Sequence, residues 1–304
     1  MKVLITGGAG FIGSHLAKFY RKRAEVRILD NLRNGDQRIL EGDEIDFIQA
    51  SLLDKAALRA AVSGVDFLFH LAAMVGVQES MEKPEECVQT NVIGTLNVLR
   101  AAAEAGVSKL VFASSAAVYG DSPPVPTPEN AIPKPISPYG ITKLDGEFYC
   151  ELFEREGWLK TAALRFFNVF GPGQDPLNPY AAVVPTFLRR ALLGDPLQIY
   201  GDGEQSRDFV YVKDVVSGLA FAAENAEVTG VFNCGSGRET TLNDFVRKLL
   251  AAARSQSHLE HLPRRAGDVR RSCASTEKLR ALGWQPVTTL EQGLDETLSQ
   301  FKMD

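Results

Sequence analysis

The 304 residues predict an α/β fold: a doubly wound parallel sheet with a smaller α/β lobe at its C-terminal end. Three observations carry that expectation. Up to about residue 170, short apolar runs alternate with helical stretches, as parallel strands covered by helices on both faces require. The first run, KVLITG, leads through glycines spaced Gly7-x-x-Gly10-x-x-Gly13 into a helix. Past residue 170 the texture changes to Gly- and Pro-rich loops and shorter elements.

In chain order, KVLITG reads as the first strand and SHLAKFYRKR as the first helix. VRILD, IDFIQA, VDFLFHLAA, KLVFASS and AALRFFNV are near-continuous apolar runs, the pattern of strands buried on both faces. AALRAAVS and VIGTLNVLRAAAEAG read as helices between them, the second closed at Gly106. SPPVPTPENAIPKPISP is too polar and too rich in proline for either and reads as a surface loop. GPGQDPLNP is a loop that opens the later part. TFLRRALLG, LQIYG, DFVYVKDVVSGLAFAAENA, GVFNCGSG and LNDFVRKLLAAA follow it. The expected division is 1–170 for the first domain, with segments near 205–233 as candidates to return to it, and 171–304 mainly for the smaller lobe.

At 45% hydrophobic and 23% charged residues the chain can bury a large core. A net charge of −5 argues against broad attraction to nucleic acid or to an anionic membrane. Arg264, Arg265, Arg270 and Arg271 still make a local basic cluster suited to one anionic small molecule. Cys87, Cys150, Cys234 and Cys273 are widely spaced, with no metal-ligand pattern, and are expected as reduced thiols; no metal is expected. No apolar run approaches the roughly twenty residues of a membrane span, and the first strand starts at once. The expectation is a cytoplasmic protein without nucleic-acid or membrane partners.

A glycine loop between a first strand and a helix permits the tight turn and the close backbone approach that a dinucleotide pyrophosphate needs. The helix N-terminus then offers free N–H groups to the phosphates. Asp30 ends the next strand, where a carboxylate accepts from the adenosine ribose and repels a 2′-phosphate. NAD is therefore expected over NADP, with Arg33 as the nearby guanidinium that would serve NADP instead. In SPYGITKLDGE, Tyr139 and Lys143 stand four apart, hence side by side on a helix. Such a pair is common, and its weight comes from its surroundings.

Those surroundings are TGGAGFIG, DNLRNG, FHLAA, NVIGTLNVL, VFASSAAVYG, SPYGITK, RFFNVFGPGQ, GDGEQSRDFVYVKDV and RRAGDVRRS, in this order. Together they resemble the extended short-chain dehydrogenase/reductases of the NAD-dependent epimerase/dehydratase family, over nearly the whole chain. Within that family the pattern is most similar to the nucleotide-sugar 4-epimerases that act on UDP-glucose and UDP-galactose. The resemblance implies a Rossmann domain, NAD as cofactor, a UDP-sugar as substrate, and an isomerase that oxidises and re-reduces C4. It leaves open a UDP-glucuronate 4-epimerase, a 4-keto-sugar reductase, or a non-catalytic dinucleotide sensor.

The resemblance also implies residue roles. Tyr139 is the general base and acid; Lys143 favours its phenolate and holds the nicotinamide ribose; Ser115 relays the proton, and Ser114 is structural. Ala116 and Ala117 stand where dehydratases carry an acid and a base, and where decarboxylases usually have a Glu at the second place. Gly7, Gly10, Phe11, Ile12 and Gly13 face the pyrophosphate; Asp30, Asn31, Asn34 and Gly35 lie beside the adenosine ribose; Leu71, Ala72 and Ala73 line the channel. Asn91 is expected near the cofactor, and read by itself is a helix N-cap. Ser51 and Leu52 stand where relatives carry an Asp-Leu/Ile that meets adenine, and Asp54 reads as the cap of the next helix. Val75 stands where some epimerases have a lysine. In the lobe, Asn168, Arg207 and Arg265 would hold the diphosphate, Asp268 the ribose, and Val183, Gln198 and Tyr200 the uracil. Ser272 replaces a tyrosine of the glucose/galactose-restricted enzymes and would leave room for a 2-acetamido group. A homodimer is implied, through Leu96, Leu99, Leu144 and Phe148.

Overall fold

A computed structural model describes residues 1–40, 45–121, 123–176, 183–264 and 269–301. The first half alternates strand and helix: β1 (Lys2–Thr6), α1 (Phe11–Tyr20), β2 (Glu25–Asp30), β3 (Ile45–Gln49), α2 (Lys55–Val62) and β4 (Phe67–His70). The short helices α3 (Val77–Glu82) and α4 (Pro84–Val88) follow. A π turn (Gln89–Ile93) leads from α4 directly into α5 (Gly94–Glu104). Then come β5 (Lys109–Ser115), a 3₁₀ turn (Ala116–Tyr119), α6 (Pro138–Arg155) and β6 (Thr161–Phe166). The remainder comprises β7 (Asn168–Phe170), α7 (Val183–Leu193), β8 (Leu197–Tyr200), β9 (Ser206–Arg207), β10 (Phe209–Tyr211), α8 (Val212–Glu224) and β11 (Gly230–Cys234). It ends with β12 (Thr240–Thr241), α9 (Leu242–Ala253), β13 (Leu259–Leu262), α10 (Glu277–Ala281) and α11 (Leu290–Ser299).

Seven strands form one parallel sheet in the order β11-β6-β5-β4-β1-β2-β3. The chain winds outward from β1 to β3, then returns to the other side of β1 and winds outward again. The switch therefore falls between β1 and β4, and the crevice above their C-terminal ends is where such sheets bind ligands. Side chains alternate between the two faces. Val3, Ile5, Ile28, Phe69, Val111 and Leu164 pack with α1 and α8 residues such as Leu16, Tyr20, Val215 and Leu219. Leu4, Leu29, Leu68, Leu110 and Ala163 pack with Leu58, Val62, Val98, Leu99 and Phe153 on the opposite side. Both faces are dry, which is why these strands read as unbroken apolar runs.

A separate apolar cluster holds the smaller lobe: Phe170, Phe187, Leu188, Leu197, Ile199, Phe209, Phe245 and Leu249, with the Phe209 and Phe245 rings stacked at 4.4 Å. β11 and α8 come from the second half of the chain but belong to the main sheet and its covering layer. Leu99 is fully buried in the chain's own core, and Leu96 and Leu144 pack inside the chain as well. Of the four residues expected at a dimer contact only Phe148 is exposed, at 57%. Among the described residues no helix is long and apolar enough to cross a membrane.

The helix α6 begins at a cap that the sequence spells out. Ser137 accepts from the Gly140 N–H (3.1 Å), and Pro138 occupies the first turn, where no N–H is needed. Its depth and rotation are set by Glu147 and Arg165 of β6, whose side chains are 3% and 4% exposed. Arg165 donates from Nε to Oε1 (2.9 Å) and from Nη2 to Oε2 (2.7 Å), and Ser114 donates to the same carboxylate. The third guanidinium nitrogen, Nη1, donates to Glu129 O (3.0 Å), and the guanidinium lies 4.7 Å from the Tyr119 ring centroid. Removing one member leaves a buried charge unpaired. Glu147→Gln is expected to cost about 3–5 kcal/mol in urea unfolding, and Glu147→Leu combined with Arg165→Met is expected to recover most of it.

Candidate active site

The glycine loop is packed to contact. A Cβ at Gly7, whose φ is +72°, would meet Ala72 N at 2.7 Å; one at Gly13 would meet Gly7 O at 2.2 Å. The first intrahelical bond of α1 runs from Ser14 N–H to Gly10 O (2.9 Å), so the Phe11, Ile12 and Gly13 N–H groups stay outside the ladder. Asp30 is 7% exposed and accepts from Ala9 N–H (3.0 Å) and Leu32 N–H (2.8 Å). The carboxylate keeps acceptor positions for ribose hydroxyls. Arg33 donates to Glu79 (2.8 Å) and Glu86 (2.5 Å), so its guanidinium is already engaged by two carboxylates. Asn31 accepts from Arg33 N–H, and Asn34 and Gly35 lie on the same loop. This cradle fits NAD.

Leu71, Ala72 and Ala73 leave β4 beside the glycine loop: Leu71 N–H donates to Thr6 O (3.1 Å) and Ala72 N–H to Thr6 Oγ1 (3.3 Å). Below them His70 is buried between Thr6 (Nδ1, 2.8 Å) and Thr95 (Nε2, 2.9 Å). Thr95 gives its own proton to Asn91 O, so it accepts from Nε2–H, and Thr6 donates to Nδ1. Burial, then the charge of Lys143, pushes His70 down to about 3, and it is neutral. Ser51 spends one acceptor position on Leu53 N–H (3.2 Å). Leu52 packs its side chain into the core against Gly94. Asp54 caps α2 by accepting from Ala56 and Ala57 N–H, both at 3.0 Å. Val75 is exposed.

Asn91 corrects one expectation. It caps nothing, because α4, the π turn and α5 are one continuous helical run with Asn91 inside it. Its carboxamide accepts from Met74 N–H (2.8 Å) and donates to Met74 O (3.0 Å) and Thr142 Oγ1 (3.0 Å). Thr142 lies between Tyr139 and Lys143 on α6 and donates to Tyr139 O (2.9 Å). Asn91 thus joins the loop after β4 to the helix of the Tyr–Lys pair.

Tyr139 and Ser115 meet because α6 starts hard against the 3₁₀ turn: a Cβ on Gly140 would lie 2.8 Å from Ala117 O. Ser115 accepts from Ala117 N–H (3.1 Å), and its hydroxyl stands beside the Tyr139 phenol. Burial pushes that phenol up to about 12, and the neighbouring Ser115 hydroxyl pulls it down. Lys143 is 3% exposed; its Nζ donates to Ala113 O (2.7 Å), sits 4.9 Å from the Phe112 ring centroid and 5.8 Å from that of Tyr139. Burial pushes the ammonium down to about 8, against the pull of neighbouring groups that include Glu147. Burial opposes ionisation of this phenol, and Lys143 is the protein cation beside it. The remaining charge in the expected scheme is that of the oxidised nicotinamide.

The lobe comes to the same place. Ala274, two residues past Ser272, and Phe167, beside Asn168, pack with Val118 and Tyr119 of the 3₁₀ turn and with Leu144, next to Lys143. Asn168 N–H donates to Asp208 O (2.9 Å), which sets it beside Arg207. Arg207 donates to Ser206 O (2.8 Å) and Val269 O (2.7 Å). Asp208 is fully buried and accepts from Ser236 N–H and Oγ–H, Gly237 N–H and Ala274 N–H, at 2.6–3.0 Å. Gln198 donates to Glu260 (3.0 Å); Tyr200 ends β8, and Val183 begins α7. Arg265 and Asp268 lie outside the described residues. Arg270 and Arg271 do not form a bare cationic cluster: they pair with Asp202 and Glu239.

Sequence reading missed His70, Thr142, Glu147, Arg165 and Asp208. Two had a signal. Arg165 interrupts an apolar strand, and a charge there must find a partner. Glu147 continues the four-residue spacing of Tyr139 and Lys143.

Fold and site together define a dinucleotide-binding α/β enzyme in which Tyr139, Lys143 and Ser115 stand together beside the crevice. The NAD dependent epimerase/dehydratase family model matches residues 3–235, and the chain belongs to that family. The UDP-glucose 4-epimerase of Thermotoga maritima, solved with UDP-glucose, is 40% identical with a TM-score of 0.94, covering 99% of this chain and 98% of that one. The UDP-N-acetylglucosamine 4-epimerase of Methanobrevibacter ruminantium, in complex with UDP-N-acetylmuramic acid, is 36% identical with a TM-score of 0.95, over 98% and 97%. The UDP-glucose 4-epimerase of Thermus thermophilus, in complex with NAD, is 36% identical with a TM-score of 0.90, over 99% and 98%. A UDP-N-acetyl-α-D-glucosaminuronate decarboxylase of Bacillus cytotoxicus is 37% identical over 99% of this chain and 98% of its own length. The cofactor is NAD.

Tyr139→Phe is expected to keep NAD bound and to lower kcat by about 10²–10⁴. Ser115→Ala removes the hydroxyl that lowers the Tyr139 pKa, so the limb of kcat that rises with pH should move to higher pH in a pH–rate profile.

Proposed function

We propose that the protein is a UDP-hexose 4-epimerase that interconverts UDP-glucose and UDP-galactose and also accepts their 2-acetamido counterparts. One observation carries the reading: the acid–base groups beside the crevice are Tyr139, Ser115 and Lys143, while Ala116 and Ala117 fill the flanking places. Ala116 packs with the apolar cluster of the 3₁₀ turn, and the Ala117 carbonyl abuts Gly140. Neither can transfer a proton, so a reaction that needs a second acid–base pair there is disfavoured, the decarboxylase of the matched relative included.

The Gly7–Gly13 loop and Asp30 would hold NAD, which would supply reversible hydride transfer at C4. Tyr139 takes the proton of the 4-hydroxyl and later gives it back, with Ser115 relaying it. Lys143 keeps a positive charge in the pocket that favours the deprotonated phenol. Asn168 and Arg207 grip the diphosphate, with Arg265 as a second cation and Asp268 on the ribose. Val183, Gln198 and Tyr200 wall the base. The 4-keto sugar turns about its diphosphate link while the nucleotide stays held. Ser272 is small and leaves space at C2 of the sugar.

Incubation with UDP-glucose, UDP-galactose, UDP-N-acetylglucosamine and UDP-glucuronate, without added cofactor, tests this. The 4-epimers should appear from the first three, and Ser272→Tyr should depress the acetamido sugar selectively. Loss of CO₂ from the uronate, or turnover only with added reduced cofactor, would reassign the enzyme.

The exposed face of α4–α6 supports a homodimer. Ile141 (49% exposed) and Phe148 (57%) lie seven apart on one stripe of α6, and Val88 and Ile93 are exposed on the adjoining helical run. Phe148→Glu is expected to sediment as a 33.2 kDa monomer where the wild type sediments as a dimer.

A further inference from the structure

Arg33 reaches across the dinucleotide crevice. It follows β2, whereas its partners Glu79 and Glu86 stand on α3 and α4, which follow β4. In the sheet β2 and β4 flank β1 on opposite sides. The bridge therefore passes over the C-terminal end of β1, above the glycine loop. Its near end is clamped: Asp36 N–H donates to Ala9 O (3.0 Å), and Gly35 lies so close that a Cβ there would meet the Ala9 Cβ at 2.9 Å. Its far end is clamped as well. Glu79 is 8% exposed, with Lys83 at 3.9 Å as a second cation, and the adjacent Ser80 accepts from Tyr139 N–H (3.2 Å).

We propose that the Arg33–Glu79–Glu86 bridge is a strap that closes the crevice over the dinucleotide and retains the cofactor between turnovers. A single exposed ion pair contributes little. Here one guanidinium serves two carboxylates, and opening would leave the poorly hydrated Glu79 with Lys83 alone. A retained cofactor suits a reaction that restores it in every cycle, and to that extent the inference rests on the epimerase reading. Release of the cofactor is measurable whatever the sugar, so the two stand or fall separately.

The holoenzyme carrying labelled NAD is diluted into excess unlabelled NAD, and the retained label is followed over time at low and high salt. Arg33→Ala and the double variant Glu79→Gln, Glu86→Gln should each release label at least about tenfold faster than the wild type, equivalent to ~1.4 kcal/mol. Salt should accelerate release from the wild type and leave both variants unchanged. Release from the double variant at the wild-type rate overturns the strap even if Arg33→Ala is fast, because Arg33 would then hold the dinucleotide directly. Salt-independent release from the wild type overturns it without any variant.

Discussion

The buried fork between Glu147 and Arg165 is the constraint on which the site depends. It places a carboxylate of α6 opposite a guanidinium of β6, with both side chains withdrawn from water. Such a pair is tolerated only when every remaining proton and lone pair finds a partner. Ser114, the Glu129 carbonyl and the Tyr119 ring provide them. Helix α6 therefore has one depth and one rotation against the sheet. Tyr139, Lys143 and Glu147 follow one another at intervals of four on the same stripe, so fixing the last fixes the first two. Tyr119 extends the constraint to the smaller lobe: its hydroxyl donates to Asn233 (2.7 Å), whose Nδ2 donates to Thr127 O and Ser275 O.

The environment of Lys143 follows from that placement. Its ammonium is buried against the Phe112 face and the Ala113 carbonyl, and burial pushes it down to about 8. A second cation nearby would push it further. His70 would be that cation, and the two threonines that fix its tautomer, together with its burial, keep it neutral. The pocket thus concentrates one positive charge beside a phenol that is otherwise reluctant to ionise. Low dielectric makes that charge, and any charge a cofactor adds, act more strongly than it would in water.

The sheet was legible because both of its faces are dry, and a short unbroken apolar run is stable only where water is kept from both sides. The glycine loop, Asp30 and the Tyr139–Lys143 spacing were legible because each is local: strand, turn and helix are neighbours in sequence. What escaped was non-local. Nothing near Asp208 in sequence announces that four donors from residues 236, 237 and 274 converge on it. Asn91 resembled a cap because residue type and position along a helix are local facts. The loop it grips lies 17 residues away and its helix partner 51. Leu99 and Leu144 were expected at a partner because the resemblance places their helices in a dimer contact, and an apolar helix face does not say what covers it.

On the proposed reading, the two alanines and the small residue at 272 express one physical requirement. Inversion at a single carbon needs one proton-transfer group and a sugar free to turn. A second acid beside Tyr139 would have to be desolvated in the cluster of Tyr119, Phe167 and Ala274, and would open a route to elimination. A bulky wall at position 272 would oppose the turning of a substituted ring. The grip must then come from the nucleotide end. There the segment from Val269 to Ser275 is stitched to the lobe through Arg207, Ser206, Thr127 and Asp208, by bonds that each include a backbone atom of that segment. Rigid backbone around the nucleotide and small side chains around the sugar divide the substrate into a part that is held and a part that moves.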